Sequence, residues 1–171
     1  MKRRFLLIVS SVLLLAACES YDCTLYNTVA MYGSIYKDGA AVKLNDTLTI
    51  TACGTDNVLL NRAVGVSKLT LSLSYLQDED TLVLSLQGAD YFLRDTIWVT
   101  KSNMVHYESP DCPTTYFHTI QDIRSTNEFI NSITVIRSSV NYETTDNIQI
   151  NLHPSPEPEP EPEPDSEPDS E

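Results

Sequence analysis

KLTLSLSYLQDEDTLVLSLQ, residues 68–87, is the stretch whose reading decides the fold class. Leu69, Leu71, Leu73 and Tyr75 alternate with Thr70, Ser72 and Ser74, and after the polar run Gln77-Asp78-Glu79-Asp80 the alternation resumes at Leu82, Leu84 and Leu86. Successive side chains of a strand point to opposite faces, so each half presents one apolar face and one polar face. The pattern predicts an antiparallel hairpin that turns at residues 77–80. Asp78, Glu79 and Asp80 lack the spaced oxygen ligands of a calcium loop and read as an exposed, solubilising turn.

The same alternation recurs on both sides. Val29, Met31, Gly33 and Ile35 lead into Asp38-Gly39, a pair suited to the positive φ angles of a two-residue hairpin turn, and Leu48, Ile50 and Ala52 answer them. Downstream, Ile97–Val99, Val105–Tyr107, Phe117–Thr119, Ile133–Val135 and Ile148–Leu152 read as strands. A helical period is not evident beyond the N-terminal segment, and Ser125-Thr126-Asn127-Glu128 opens at most one helical turn before Phe129. About eight to ten short strands with polar turns predict an all-β chain, an antiparallel two-sheet β-sandwich of immunoglobulin-like type over residues 25–153; a small closed barrel is the alternative. No Pro/Gly-rich linker divides that span. Trp98 points away from Ile97 and Val99, either as filler under a neighbouring strand or loop or as an aromatic ligand contact.

The two ends are not part of that body. Lys2, Arg3 and Arg4 precede an uncharged run, Phe5 to Ala17, that is shorter than the roughly 20 residues a spanning helix needs. Residues 1–17 read as an export signal. Leu15-Ala16-Ala17-Cys18 resembles the lipobox of bacterial lipoproteins. The resemblance implies cleavage between Ala17 and Cys18, a diacylglyceryl group on the Cys18 thiol and acylation of the new amino group. Several acyl chains anchor a protein to a leaflet without a spanning segment. Residues 18–24 then form the anchor and linker, and the membrane, through Cys18, is the expected partner. At the other end, residues 154–171 alternate Glu with Pro and hold 8 of the chain's 24 acidic residues. Proline and like-charge repulsion prevent a core, so a disordered, extended acidic tail is expected, reaching roughly 55 Å at about 3.1 Å per residue. It reads as a solvated spacer, with an acidic arm for basic surfaces or divalent cations as the functional alternative.

The 171 residues carry 11 Lys and Arg and a formal charge of −13, which excludes nucleic acid as an expected partner. Beyond Cys18 there are Cys23, Cys53 and Cys112, an odd number in a compartment that permits disulfides. Cys112 sits in the turn Ser109-Pro110-Asp111-Cys112-Pro113 and Cys23 lies just past the anchor, so Cys23–Cys112 is the favoured bridge, closing a loop of about 90 residues for about 4–5 kcal/mol on the chain-entropy model. Cys53 is then expected as a small buried hydrophobe, with Cys53–Cys112 the competing pair. No zinc spacing, nucleophile elbow, phosphate loop or dinucleotide-binding glycine pattern occurs, so no metal, cofactor or catalytic residue is assigned and the chain is not expected to be an enzyme. His118, which shares a strand face with Tyr116 and Ile120, reads as a packed, hydrogen-bonded residue. A hydrolase would require it beside an acid or thiol in an open cleft.

The lipobox, Tyr32-Gly33 with Asp38-Gly39, Leu44 to Leu48, Leu69 to Leu86, and Asp111-Cys112 followed by Tyr116-Phe117 resemble a family of small Bacteroidota outer-membrane lipoproteins of unknown function. The resemblance implies an all-β body and a place in the cell envelope, on the periplasmic or the external face of the outer membrane, and no activity. Exported proteins of that lineage carry O-glycans at Asp-(Ser/Thr)-aliphatic tripeptides, which makes Thr47, Thr81 and Thr96 candidate acceptors in Asp46-Thr47-Leu48, Asp80-Thr81-Leu82 and Asp95-Thr96-Ile97. The plain alternative is that an acid, a Thr and an apolar residue commonly start a strand. The expected function is a lipid-anchored, non-enzymatic binding or structural accessory with an envelope protein or glycan as partner. A carbohydrate-binding module using Trp98, Tyr91 and Phe92 as stacking rings is the second reading, and a hydrolase the third.

Overall fold

The computed structural model describes residues 28–54, 57–110 and 112–154. Residues 1–17, Cys18 with its linker, Cys23 and the acidic tail past Pro154 lie outside the described residues. Among the described residues the chain forms eleven strands and no helix. They are β1 (Met31–Lys37), β2 (Ala40–Ala41), β3 (Thr47–Ala52), β4 (Asn57–Ala63), β5 (Lys68–Leu71), β6 (Glu79–Gln87), β7 (Phe92–His106), β8 (Thr115–Ser125), β9 (Ile130–Val135), β10 (Ser139–Val140) and β11 (Ile148–Leu152). One sheet runs β2-β1-β11-β9 with β5 beside β2 on the same edge of β1, and the other runs β10-β8-β7-β6-β3-β4. The two form a β-sandwich. Its pairings are antiparallel except for β1 with β11, which run parallel.

Alternation explains the core directly. Leu48 and Ile50 of β3, Leu82, Leu84 and Leu86 of β6, and Ile97 and Val99 of β7 point inward from the larger sheet. Met31 and Ile35 of β1, Leu69 and Leu71 of β5, and Ile148 and Ile150 of β11 meet them from the smaller one. Each such side chain contributes about 1.5–3 kcal/mol on burial. Gly33 lets the parallel neighbour close in: a β-carbon there would lie 2.8 Å from Cγ1 of Ile148.

The deciding stretch forms two strands, but not a hairpin. β5 pairs with β1, while β6 pairs with β3 and β7 in the opposite sheet, so residues 72–78 carry the chain from one layer to the other. A period of two specifies which face of a strand is buried, not which strand lies alongside. The two leucine rows face the same core from opposite sides. The first hairpin is likewise corrected in part. Asp38 and Gly39 adopt φ of 52° and 76° and join Lys37 to Ala40 as expected, but the returning strand is only β2. Leu48 and Ile50 belong to β3, in the other sheet. Ile97–Val99 and Val105–Tyr107 merge into the single long β7, apart from Tyr107. β4 escaped the sequence reading because its register slips twice against β3, which breaks the alternation.

The helical turn expected at Ser125–Glu128 is absent. That segment instead wraps the carboxylate of Asp95, a fully buried residue on the inward face of β7. Asp95 accepts hydrogen bonds from the Thr126 hydroxyl (2.6 Å) and from the amides of Glu128 (2.7 Å), Phe129 (2.8 Å) and Ile130 (2.8 Å). One side chain thereby ties the connection between β8 and β9, and so the two sheets, to the middle of the larger one. Burial pushes the Asp95 pKa up, but these four donors outweigh it and hold the carboxyl below its ordinary value. The folded pKa lies below the unfolded one, about 3.9, so the stabilisation is complete above about pH 4 and is lost as pH falls through the folded value. Asp95→Ala leaves buried amides without an acceptor and should cost at least about 3 kcal/mol in urea unfolding. Asp95→Asn should flatten the loss of stability below pH 4.

Candidate functional site

The strand directions give the sandwich two distinct ends. β1 enters at Met31, which pairs with Leu71 at the finish of β5, so the incoming chain and the 72–78 crossing lie together at what we term the proximal end. β6 starts there, and Glu79 pairs with Thr100; β7 then continues past it from Lys101 to His106 and returns as β8. Pro154 leaves from the opposite, distal end, after β11 has run parallel to β1.

At the proximal end the inward face of β7 ends in Lys101, which is 1% exposed. Its ammonium lies 3.2 Å from Oδ2 of Asp80 and donates to the carbonyl of Gln77 at 2.6 Å. Asp80 also accepts from the Ser74 amide (2.9 Å) and Nε2 of Gln77 (3.1 Å), and the Lys101 amide donates to the Asp78 carbonyl (2.7 Å). The expectation of an exposed acidic turn is therefore wrong for Asp80. It shares the inward side of β6 with Leu82, so it can remain charged only beside a cation. This knot seals the crossing from sheet to sheet. Asn103 follows on the same face, donating to the Gln77 carbonyl (3.0 Å) and facing Nδ1 of His118 at 2.8 Å.

His118 is buried, as a packed strand histidine should be. Burial, and then the Lys101 ammonium, push its pKa below the ordinary value against the opposing pull of Asp80. The ring is 5% exposed, and its Nδ1 faces the Asn103 side-chain oxygen. No cluster of three or more His, Cys, Asp or Glu able to hold a metal occurs among the described residues.

Cys53 departs from expectation. It is an exposed free thiol, because the chain turns at Cys53-Gly54 as β3 ends, with Gly54 at φ 83°. This removes the Cys53–Cys112 pairing. Cys53 borders a cavity of about 220 Å³ with Leu59, Leu73, Tyr75 and Asp80.

Beyond the knot the β7–β8 ribbon carries aromatic side chains on both faces. Tyr116 stacks on Tyr75 of the crossing with centroids 4.4 Å apart, and His106 stacks on Phe117 at 4.2 Å with Tyr142 edge-on to both. Leu76, Tyr107 and Met104 are 82%, 69% and 63% exposed.

The three proposed stacking residues do not form one platform. Trp98 lies half-buried on the outer face of the larger sheet, under the Arg124 guanidinium at 4.4 Å, rather than in the core. Phe92 lies six residues away, about 20 Å along the strand. Tyr91, 46% exposed, donates to Asp46, which raises its pKa, with burial adding to the shift. Tyr91 lines a distal groove of about 440 Å³ with Lys43, Asn45, Glu128 and His153. Thr47, Thr81 and Thr96 are half-buried on the outer face of the larger sheet, each opposite in sense to an inward neighbour. Of their preceding acids, Asp80 and Asp95 have structural partners that account for them without a glycan.

Lys101→Met removes one partner of the buried pair and should destabilise the chain by about 3–5 kcal/mol, while adding Asp80→Asn should recover much of that loss; urea unfolding of the cycle checks it. Because the folded pKa of His118 is depressed, its contribution is full above about pH 6.5 and declines as pH falls towards the folded value. Stability should therefore slope downward below pH 6.5, and His118→Gln should reduce that slope.

A family of unknown function (DUF6452) matches residues 47–152, more than half of the chain and the whole run from β3 to β11. No curated protein and no solved structure matches.

Proposed function

The chain belongs to the DUF6452 family of unknown function, and from that premise we propose that it is a small Bacteroidota outer-membrane lipoprotein, a non-enzymatic binding or structural accessory held to a leaflet through Cys18. The observation that carries the reading is the placement of the two ends of the body. The described chain enters β1 at the proximal end and ends at Pro154 at the distal end, so a lipid group attached upstream of β1 and the acidic segment after Pro154 connect to opposite ends of the body. The non-enzymatic part is supported by the buried ionisable groups. Asp80, Asp95 and Lys101 are each occupied by partners that hold strands or crossings in place, and His118 faces an amide. The Cys23–Cys112 bridge belongs to the same reading and is supported by Cys53 being the free thiol. It would fasten the β7–β8 tip within five residues of the anchor.

A carbohydrate-binding role is favoured by one observation, the exposed Tyr91 in a groove rimmed by Lys43, Asn45 and Glu128. Titration with envelope glycans against Tyr91→Ala would detect it as affinity lost with the ring.

The anchor is tested by intact mass of the native protein. The expected species starts at Cys18 and carries three acyl chains, and Cys18→Ser should leave a full-length precursor without acyl mass. A native species starting at Met1 with a bare thiol overturns the reading. The same spectrum reports added sugar on Thr47, Thr81 or Thr96, and a peptide map without reductant reports Cys23 linked to Cys112.

A further inference from the structure

We propose that the proximal end of the sandwich is a lipid-docking face: Leu76, Met104, Val105 and Tyr107 insert into the headgroup region of the leaflet that holds Cys18. This inference rests on the lipid-anchor reading and adds an orientation to it. Four observations carry it. First, Leu76 at the crossing and Met104, Val105 and Tyr107 on the β7–β8 ribbon are exposed at this end together with Tyr75, whereas the distal end exposes Val64, Tyr91 and Phe92 on separate strands and loops, and soluble surfaces rarely gather large apolar side chains in one place. Second, the ribbon projects. β7 runs on from Lys101 to His106 after β6 has begun, so its tip stands clear of the rest of the larger sheet. Third, the side chains are of the kind that suits an interface. Tyr75, Tyr107, Tyr116 and Tyr142 combine an apolar ring with a hydroxyl, the residue type concentrated where hydrocarbon meets water.

The fourth observation is chain length. Nine residues lie between Cys18 and Thr28, and the ten Cα–Cα steps between them span at most about 35 Å. The incoming strand joins the body at the same end as the apolar patch, so the tether holds that patch near the leaflet at high effective concentration, where a shallow contact suffices. A distal patch would have to lie beyond the whole length of the sandwich. Charge selects the lipid. Asp78 precedes β6 two residues after Leu76 and Glu108 directly follows Tyr107, while Glu79 is paired with Arg124, so zwitterionic headgroups are favoured and anionic ones are resisted. The aromatic pairs Tyr75–Tyr116 and His106–Phe117 stiffen the ribbon that presents the inserting side chains. The Lys101–Asp80 knot fixes the crossing on which Leu76 stands.

The test uses the full processed chain, reconstituted into phosphatidylcholine vesicles with and without brominated acyl chains, which quench tryptophan at short range. Trp98 is the sole native tryptophan and stays in place as a common background. Tyr107→Trp reports the proximal tip and Phe92→Trp the distal end, with circular dichroism confirming that each variant is folded. The expected result is that Tyr107→Trp loses about half or more of its added emission to brominated lipid, that Phe92→Trp loses none, and that replacing half of the lipid with phosphatidylglycerol weakens the effect. Leu76→Ser with Met104→Ser in the Tyr107→Trp chain should abolish the quenching while leaving the lipidated mass unchanged. If the mass shows acylated Cys18 and Tyr107→Trp is unquenched, docking is overturned and the anchor stands. If Phe92→Trp is quenched instead, the orientation is overturned. If the mass shows no lipid on Cys18, the anchor reading itself fails. Should a variant not fold, hydrogen exchange on the unsubstituted chain decides: amides of residues 75–77 and 104–107 must be slower on vesicles than in the Cys18→Ser protein in buffer. Protection of those amides in the native envelope but not on pure vesicles assigns the face to a protein partner and overturns the proposal.

Discussion

Two strands side by side, β6 and β7, set the terms for everything else, because each is apolar along its inward face and charged where that face ends. On β6 the row is Asp80, Leu82, Leu84, Leu86; on β7 it is Asp95, Ile97, Val99, Lys101. A charge at the margin of a core is tolerable only with a partner, and the partners come from elsewhere in the fold. Asp80 meets Lys101 across the pair and gathers the 72–78 crossing onto it. Asp95 gathers the 126–130 connection by its amides. The chain changes sheets at both places. The leucines supply most of the burial, but they would bury as well in other arrangements, and the carboxylates restrict the route the chain takes between layers.

That division explains which features were legible beforehand. Alternation at Leu69–Tyr75 and Leu82–Leu86 announces strands and names their buried faces, and Asp38-Gly39 announces a turn whose positive φ angles the structure contains. The pairing of those strands was not legible. A hairpin between β5 and β6 and a crossing between sheets demand the same leucines, and the difference lies in whether Asp80 is a solvated turn residue or an inward one. The parity was in fact available, since Asp80 has the spacing of Leu82 and Lys101 the spacing of Val99. Reading the acidic run 78–80 as a unit hid it. The two neighbours of Asp80 do behave as surface residues, so the run mixes two environments.

The candidate site was less legible still, for a physical reason. Its members, Tyr75, Asp80, Asn103, His118 and Tyr142, are dispersed over the chain and converge only because β7 and β8 overrun β6. Exposure of Met104 or Tyr107 follows from how far one strand outlasts its neighbour, a quantity that the hydrophobic period of a single strand does not encode. Cys53 shows the same limit: it follows an apolar run closely enough to look buried, yet β3 stops one residue earlier and the turn at Gly54 puts the thiol outside.

The family match begins at β3, so β1, which precedes it, is seated among strands that the match covers. β1 takes β5 on one edge and β11 on the other, and its buried residues Met31, Gly33, Ser34 and Ile35 require both ladders, because backbone groups at that depth have no water to bond. It is also the strand into which the chain from Cys18 leads. Under the proposed anchorage, a pull on the chain preceding β1 would load its cross-strand hydrogen bonds together in shear. A terminal hairpin pulled from its open end would instead give way one bond at a time. Clamping the incoming strand between two neighbours would thus suit the proposed attachment at that end. Asn147 completes the clamp, pairing its own amide and side-chain oxygen with the backbone of Tyr32 while its side-chain nitrogen holds the carbonyls of Arg137 and Ser139. Fully buried at the point where β1 begins, it links the first strand to the connections that carry the chain between β9, β10 and β11.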